Sequence, residues 1–399
     1  MTKKIQEAYI VAACRTAVGK AKGAFAHTRP DDLLAHVLKN LMDSVPEIDP
    51  SLIEDVIIGC AMPEGEQGMN VARIGALLAG LPDSVPGVTV NRFCASGLET
   101  LAQAANRINL GGADVIIAGG VESMSRIPMG GFKFTGNPKF FSNQGENIGI
   151  AYGMGITAEI VAKRYNIARL AQDEFALKSH EKALIAINQE AFKAEIVPFT
   201  VMTHYPDITT GKPIINTSKV SIDQGPRAGS SLQTLSKLKP VFSAEGSVTA
   251  GNSSQMSDGA AALLVVSESF LQQHNLTPLA RFCGYSVVGV APEIMGMGPA
   301  EAIPKVLKQT GLSLDAIDWI ELNEAFAAQS LAVINEVNLD ISKVNPLGGA
   351  IALGHPLGAT GAIRATTVVH GLKRKRLKYG MVTMCVGTGM GAAGILESV

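Results

Sequence analysis

The feature that most constrains this chain is an internal repeat, one long enough to fix the order of helices and strands in each half. In the first half a helix-like run, Leu33 to Leu41, leads through Ile48 to Asp55 into the apolar strand Val56-Ile-Ile-Gly. In the second, Ile303 to Thr310 leads through Leu314 to Asp318 into Trp319-Ile-Glu-Leu-Asn. Downstream, Val90-Asn91 and Val344-Asn345 each precede a helix and then a strand, Asp114 to Gly119 and Tyr379 to Val386. Each half closes on one more candidate strand, Ala260 to Val266 and Gly394 to Glu397. Self-similarity over such a span is the mark of a duplicated structural unit. Helical stretches alternating with Val- and Ile-rich runs make that unit α/β, with buried sheets.

Three regions follow. Residues 1–120 with 247–272 form one half, residues 273–399 the other, and 121–246 breaks the pattern with Gly-, Pro- and Met-rich loops and one long helix near Ala158 to Ala194. An insertion of that length is a site for ligand or partner contacts, or else a structural cover. The chain has 399 residues, enough for two or three domains with cores of their own. A hydrophobic fraction of 47%, a charged fraction of 17% and a net charge of −1 exclude a disordered tail and a nucleic-acid binder. Any acidic ligand must be met by local positive charge. No apolar run reaches the roughly 18 residues of a membrane span, and Met1-Thr-Lys-Lys leads straight into the strand-like Tyr9-Ile-Val-Ala, so a cytoplasmic location is expected. Five dispersed cysteines (14, 60, 94, 283, 385), an odd number without a CxxC pair, argue against a disulfide framework and a zinc site.

Two of the thiols stand at junctions. Cys94, in Val88-Thr-Val-Asn-Arg-Phe-Cys-Ala-Ser-Gly, lies between a strand and a helix whose apolar positions are Leu98, Leu101, Ala102, Ala105 and Ile108. A cysteine at a helix start meets the positive end of the dipole and unpaired N–H groups, so a lowered pKa is expected there. A free cysteine is otherwise an inert small hydrophobe, the expectation for Cys14, Cys60 and Cys283. Cys385 ends an apolar strand and runs into Val386-Gly-Thr-Gly-Met-Gly, where open α/β sheets bind ligands. His355 precedes Pro356, which keeps it out of the helix and places it in the connection just ahead of one. The glycines 354, 358 and 361 let the backbone come close to a neighbouring helix or to a ligand. Asn323, after the Trp319 strand, either caps the next helix or serves in catalysis.

Some signals are set aside. Gly389-Met-Gly-Ala-Ala-Gly has the form of a dinucleotide fingerprint, but only five residues follow Gly394 and no βαβ unit fits. Its glycines suit backbone N–H groups aimed at a developing oxyanion. The basic run from Lys373 to Lys378 suits the C-terminal end of a helix, where cations complement the dipole. Gly19-Lys20 lacks the rest of a P-loop.

Four motifs in order, Asn91-Arg-Phe-Cys-Ala-Ser-Gly, Asn323-Glu-Ala-Phe, Gly354-His-Pro and Cys385-Val-Gly-Thr-Gly, give the whole chain a resemblance to thiolases, of the thiolase and ketoacyl-synthase superfamily. The resemblance implies a five-layered αβαβα fold. It implies Cys94 as the acylated nucleophile, His355 as its activator, and Cys385 as the acid and then the base. It implies two oxyanion holes: His355 with a water held by Asn323, and the backbone N–H groups of Cys94 and Gly387. Coenzyme A is the implied co-substrate, with no permanently bound cofactor and no metal. Its contacts would be Arg227 at the nucleotide end and Ser254 near the pantetheine, with Met154 and Met295 lining the acyl pocket or filling core. The implied assembly is a homodimer or homotetramer, with a β-oxidation multienzyme as a further partner. Glu64 to Arg73 and Asn252 to Gly259 look more like degradative than biosynthetic members. The expected activity is therefore that of a 3-ketoacyl-CoA thiolase in fatty-acid breakdown. The alternatives are a biosynthetic acetoacetyl-CoA thiolase and a thiolase-like CoA or lipid carrier without turnover.

Overall fold

The computed structural model describes residues 5–141 and 148–399, so Met1-Thr-Lys-Lys lies outside the described residues. From the first half come β1 (Ala8–Arg15), β2 (Asp55–Gly59), β3 (Gly87–Val90), β4 (Val115–Ser123) and β5 (Ser257–Ser267). The second gives β6 (Ala280–Gly289), β7 (Trp319–Leu322), β8 (Tyr379–Val386) and β9 (Met390–Ser398). They run β7-β8-β9-β6-β1-β5-β4-β2-β3. Two half-sheets meet at a narrow seam, where β1 and β6 pair through only Tyr9–Arg281 and Ile10–Ala280.

The duplication is visible in the pairing. β1, β5, β4 and β2 are joined antiparallel, antiparallel and parallel, and β6, β9, β8 and β7 repeat that sequence. β3 lies parallel to β2, and in its place in the second half Val344 makes an isolated parallel bridge to Ile320. The repeated asparagines do the same work: Asn91 Nδ2 donates to Ala61 O at 3.0 Å, and Asn345 Nδ2 to Leu322 O at 2.9 Å.

Strand periodicity sorts the core into three. On β4, Val115 and Ile117 face an outer cluster with Leu33, Leu34 and Val56, while Ile116 and Ala118 face the centre. On β8, Met381 joins a second outer cluster with Ile303, Val306 and Ile320, while Val382 and Met384 face the centre. The outer layers are α1 (Pro30–Asp43) with α2 (Val71–Leu78) on one side, and α6 (Gly298–Thr310) with α7 (Ala327–Val337) on the other. Between the half-sheets lie α3 (Ser96–Asn109) and α8 (Leu357–Lys375), packed on each other. This is the expected αβαβα order.

α3 and α8 touch backbone to backbone. A Cβ on Gly97 would stand 2.6 Å from Ala362 N, and one on Gly361 2.2 Å from Leu98 N. Gly358 and Gly361 therefore serve a neighbouring helix and strand, the first of the two readings their spacing left open. Lys373, Arg374 and Lys375 fall in the last turn of α8, as the basic run suggests.

The region between β4 and β5 departs from expectation in one respect. The long helix is two, α4 (Met154–Arg164) and α5 (Arg169–Asn188), because Asn166 adopts the left-handed conformation at φ 55° and breaks the run. A hairpin, Phe199–Pro206 with Pro213–Val220, follows. Arg15 of β1 holds this region down, with Nε on Glu195 at 2.7 Å and both terminal nitrogens on Asp223 at 2.8 and 3.0 Å. Thr367 of α8 donates to the same Glu195 oxygen at 2.9 Å.

Candidate active site

Cys94 sits in a 3-10 turn, Phe93–Ala95, between β3 and α3. Asn91 Oδ1 accepts the Phe93 N–H at 2.8 Å, and Ser96 Oγ accepts from Arg92 N–H and donates to Phe93 O. These bonds hold Phe93 at φ 44°, a conformation bulky residues adopt only under constraint, at roughly 1–3 kcal/mol. The turn drives the Cys94 side chain inward to 2% exposure. Burial then pushes its thiol up to about 12, against hydrogen bonds from the backbone N–H groups of Gly387 and Cys94 itself. The lowered pKa expected of a helix start is therefore corrected: desolvation outweighs the dipole and the donors.

His355 is presented two residues ahead of α8, whose N-cap is Pro356. Gly354 carries φ 93°, and a side chain there would meet Ser257 Oγ at 2.4 Å. The His355 N–H donates to Gln255 O and Ser257 Oγ, both at 3.2 Å. Its ring spans two partners, Thr360 Oγ1 at 2.7 Å from Nδ1 and Asn323 Nδ2 at 3.3 Å from Nε2. With the carboxamide donating, Nε2 is the acceptor and Nδ1–H points at Thr360, a tautomer assigned from its partners. Burial, seconded by the charge of Arg364, lowers its pKa to about 3, so the imidazole is neutral. Asn323 is 1% exposed, and its Oδ1 has no partner among the described residues. It caps no helix, since α7 begins at Ala327 after Phe326.

Cys385, next to last in β8, is fully buried. Burial raises its thiol pKa strongly, and the neighbouring Cys94 adds to the rise. Beyond it the glycines close a hairpin onto β9, with Val386 opposite Met390, so the dinucleotide form is a turn and a strand. Cys385 shares an apolar cluster with Met295, Val248, Ala325 and Phe326, and the half-buried Met154 packs against it.

Arg227 is exposed at a cavity of about 210 Å³ lined also by His180, Gly251, Gln255 and Ile351. Its N–H donates to His180 Nδ1 at 3.2 Å, and burial, with the Arg227 charge second, lowers His180 to about 4. Ser254 donates its N–H to Ala325 O at 2.9 Å. The segment from Gly251 to Ser257 thus floors the cavity, touches the loop after Asn323 and holds the His355 backbone. Cys94, Cys385 and Gly387 come together, Asn323 meets His355, and Met154 and Met295 join the Cys385 cluster. Arg227 lines the His180 cavity, which shares Gln255 with the His355 backbone.

Thr360 and Glu122 also belong to the surroundings of these residues and carry little signal in the sequence. Thr360 lies four residues beyond the Gly354-His-Pro motif, marked only by its hydroxyl in an otherwise apolar helix start. Glu122 is a lone carboxylate near the end of a fully buried strand, 1% exposed, and that isolation is its only signal.

A duplicated five-layer α/β frame with two interacting buried thiols and a neutral imidazole held by Asn323 and Thr360 is what the resemblance to acyl-transferring enzymes leads one to expect. The family comparisons agree. A model of the thiolase N-terminal domain matches residues 8–269, and one of the thiolase C-terminal domain matches residues 276–398. The chain is 48% identical over 395 residues to a 3-ketoacyl-CoA thiolase of Bacillus subtilis (strain 168), covering 98% of this chain and 100% of that protein. Among solved structures, the Bacillus anthracis acetyl-CoA acetyltransferase superposes with TM-score 0.89 at 38% identity, covering 100% of both chains. Human mitochondrial 3-ketoacyl-CoA thiolase superposes with TM-score 0.87 at 35% identity, covering 99% of both. The chain belongs to the thiolase family.

Proposed function

We propose that this protein is a 3-ketoacyl-CoA thiolase that cleaves its substrate with CoA to acetyl-CoA and a shortened acyl-CoA. The observation that supports the proposal is the pairing of two buried thiols, Cys94 under the Gly387 N–H and Cys385 close enough to feel its charge, with a neutral His355 presented just ahead of α8. Cys94 Sγ gives its proton to His355 and attacks the 3-keto carbon. The bond between C2 and C3 breaks, and its electron pair stays on the acetyl-CoA fragment as an enolate. Cys385 supplies the proton to C2. As a thiolate, Cys385 then takes the proton of incoming CoA, whose sulfur attacks the acyl-Cys94 thioester. Cys94 leaves and takes back the proton held on His355. The N–H groups of Cys94 and Gly387 would hold the acyl oxyanion, and His355 with Asn323 the enolate.

The Arg227 cavity is our candidate for the nucleotide end of CoA, with Ser254 along the pantetheine and Met154 and Met295 at the acyl end. A substrate of fatty-acid breakdown, a cytoplasmic setting and a homo-oligomer complete the reading. The five free cysteines fit a reducing compartment. Val88 on β3, an edge strand, stays 41% exposed, as a surface awaiting a second copy would. Among the described residues no helix is long and apolar enough to cross a membrane.

Mass spectrometry after mixing with a medium-chain 3-ketoacyl-CoA tests the proposal, with an acyl group on the Cys94 peptide expected. Cys94→Ser should lose acyl transfer and keep CoA binding. Turnover confined to acetoacetyl-CoA would replace the degradative assignment with the biosynthetic one, and CoA binding with unmodified Cys94 would leave a carrier.

A further inference from the structure

The buried carboxylate of Glu122 takes no part in the chemistry proposed above, yet it sits where the two halves of the site are joined. Its Oε2 accepts the backbone N–H of Ala61 at 2.7 Å and that of Gly358 at 2.8 Å. Its Oε1 accepts from Met62 N–H at 3.2 Å and from the Gln67 carboxamide, with the Cys60 thiol 3.9 Å away. One oxygen therefore bridges two arms. The first arm runs from Ala61, whose carbonyl binds Asn91 Nδ2, through Asn91 Oδ1 to Phe93 N–H and so to Cys94. The second runs from Gly358, in the first turn of α8, back through Pro356 to His355. The approach is tight, since a Cβ on Gly358 would stand 2.6 Å from Ala61 N and 2.8 Å from Oε2.

A charge so enclosed is costly unless every lone pair is used, and here hydrogen bonds from backbone and side chain use them. Burial still raises the pKa of Glu122. Its negative charge, in turn, adds to the rise at Cys94. An apolar residue would spare the fold that desolvation, but it would leave the Ala61 and Gly358 N–H groups unpaired in the interior.

We propose that Glu122 is a positioning residue for acyl transfer, its Oε2 setting the Cys94 turn and the His355 arm in register across the boundary between the two halves. The proposal rests on the reading that Cys94 and His355 carry the chemistry. Two variants separate reach from charge. Glu122→Asp keeps the charge and withdraws it by one methylene, which breaks the bridge. Glu122→Gln keeps the reach but sets an NH₂ against N–H donors and removes the charge.

Acylation of Cys94 is followed by rapid mixing with 3-ketoacyl-CoA, and Cys94 alkylation by iodoacetamide is followed against pH. Glu122→Asp is expected to slow acylation by about 10- to 100-fold, the cost of a misplacement of about 1 Å or less. CoA affinity and the alkylation profile should stay where they are in the parent protein. Glu122→Gln should slow acylation by about 10-fold while its alkylation profile moves to lower pH, so that ionisation becomes easier as transfer becomes slower. A loss of stability alone would not produce opposite movements. Parent-like acylation in Glu122→Asp overturns the proposal, and should that variant not fold, parent-like acylation in Glu122→Met, which keeps the length and removes both acceptor oxygens, does so. Absence of acyl-Cys94 in the parent protein would instead sink the thiolase reading itself.

Discussion

Replacing Gly361 by alanine tests the central layer most directly. The new Cβ would lie 2.2 Å from Leu98 N, 2.8 Å from Leu98 Cβ and 3.0 Å from Gly97 C, where ordinary contact begins near 3.4 Å. Two of those atoms are backbone, so no rotamer change relieves them, and α8 must move off α3 by about 1 Å. Overpacking of this kind costs about 1–3 kcal/mol. The displacement also falls on the site, because Cys94 lies two residues before α3 and His355 two residues before α8. A shift of about 1 Å between reacting groups costs on the order of 100-fold in rate. Urea unfolding gives the first number and thiolysis of a 3-ketoacyl-CoA the second. Gly289→Ala is the control, since its Cβ would meet nothing nearer than Gly389 O at 4.0 Å, and it should change stability by no more than about 0.5 kcal/mol. A Gly361→Ala protein with the parent's urea midpoint and rate would show that the central helices are not in rigid backbone contact, and the reasoning would fail.

Asn323→Ala should lower kcat on the order of 100-fold and leave KM nearly unchanged, and a raised KM with kcat intact would make Asn323 a binding group instead. Arg15→Met would strand Glu195 and Asp223 without their cation and should destabilise the fold by about 3–5 kcal/mol in urea; an unchanged midpoint refutes a structural role for this triad. Stability should also depend on pH through the two buried histidines, lowered to about 3 at His355 and about 4 at His180. Unfolded, each binds a proton near 6.5, so their contribution is complete above that pH and is lost progressively as pH falls toward the folded values. The urea midpoint should fall over that window, and a His355→Asn variant should show a shallower fall.

What the sequence displayed, it displayed through periodicity. Val56-Ile-Ile-Gly and Tyr379 to Val386 are continuous apolar runs because both faces of their strands are covered, and such runs are legible without a structure. β6 was not legible, because Arg281, Gly284 and Ser286 interrupt its apolar pattern; Gly284 lies where a Cβ would meet Thr310 at 2.6 Å. The break between α4 and α5 hid for a different reason: Asn166 has ordinary helix propensity and reveals itself only through its left-handed φ. At the site, strand ends and the His355-Pro356 pair marked where reactive groups stand. They did not mark what fixes them. Gln255 and Glu122 act through hydrogen bonds between segments up to 236 residues apart, as between Glu122 and Gly358, and no local pattern encodes such a partner.

The same limit explains the wrong sign at Cys94. A helix start argues for a thiolate, and the donors are present, yet the turn through Phe93 seals the sulfur so completely that desolvation prevails. A protonated Cys94 is a poor target for oxidants and alkylating agents at neutral pH, and it becomes a nucleophile only while its proton is passing to a base. In the proposed reaction that base is His355, neutral, with Nε2 as acceptor and Nδ1 anchored on Thr360. Taking the proton turns Nε2 into a donor that faces the Asn323 NH₂, and two donors at 3.3 Å repel. Turning the carboxamide Oδ1, unpaired among the described residues, toward the imidazolium would remove that conflict. Asn323 would then hold the protonated imidazole as readily as the neutral one, so that the base need not leave its place between the two steps.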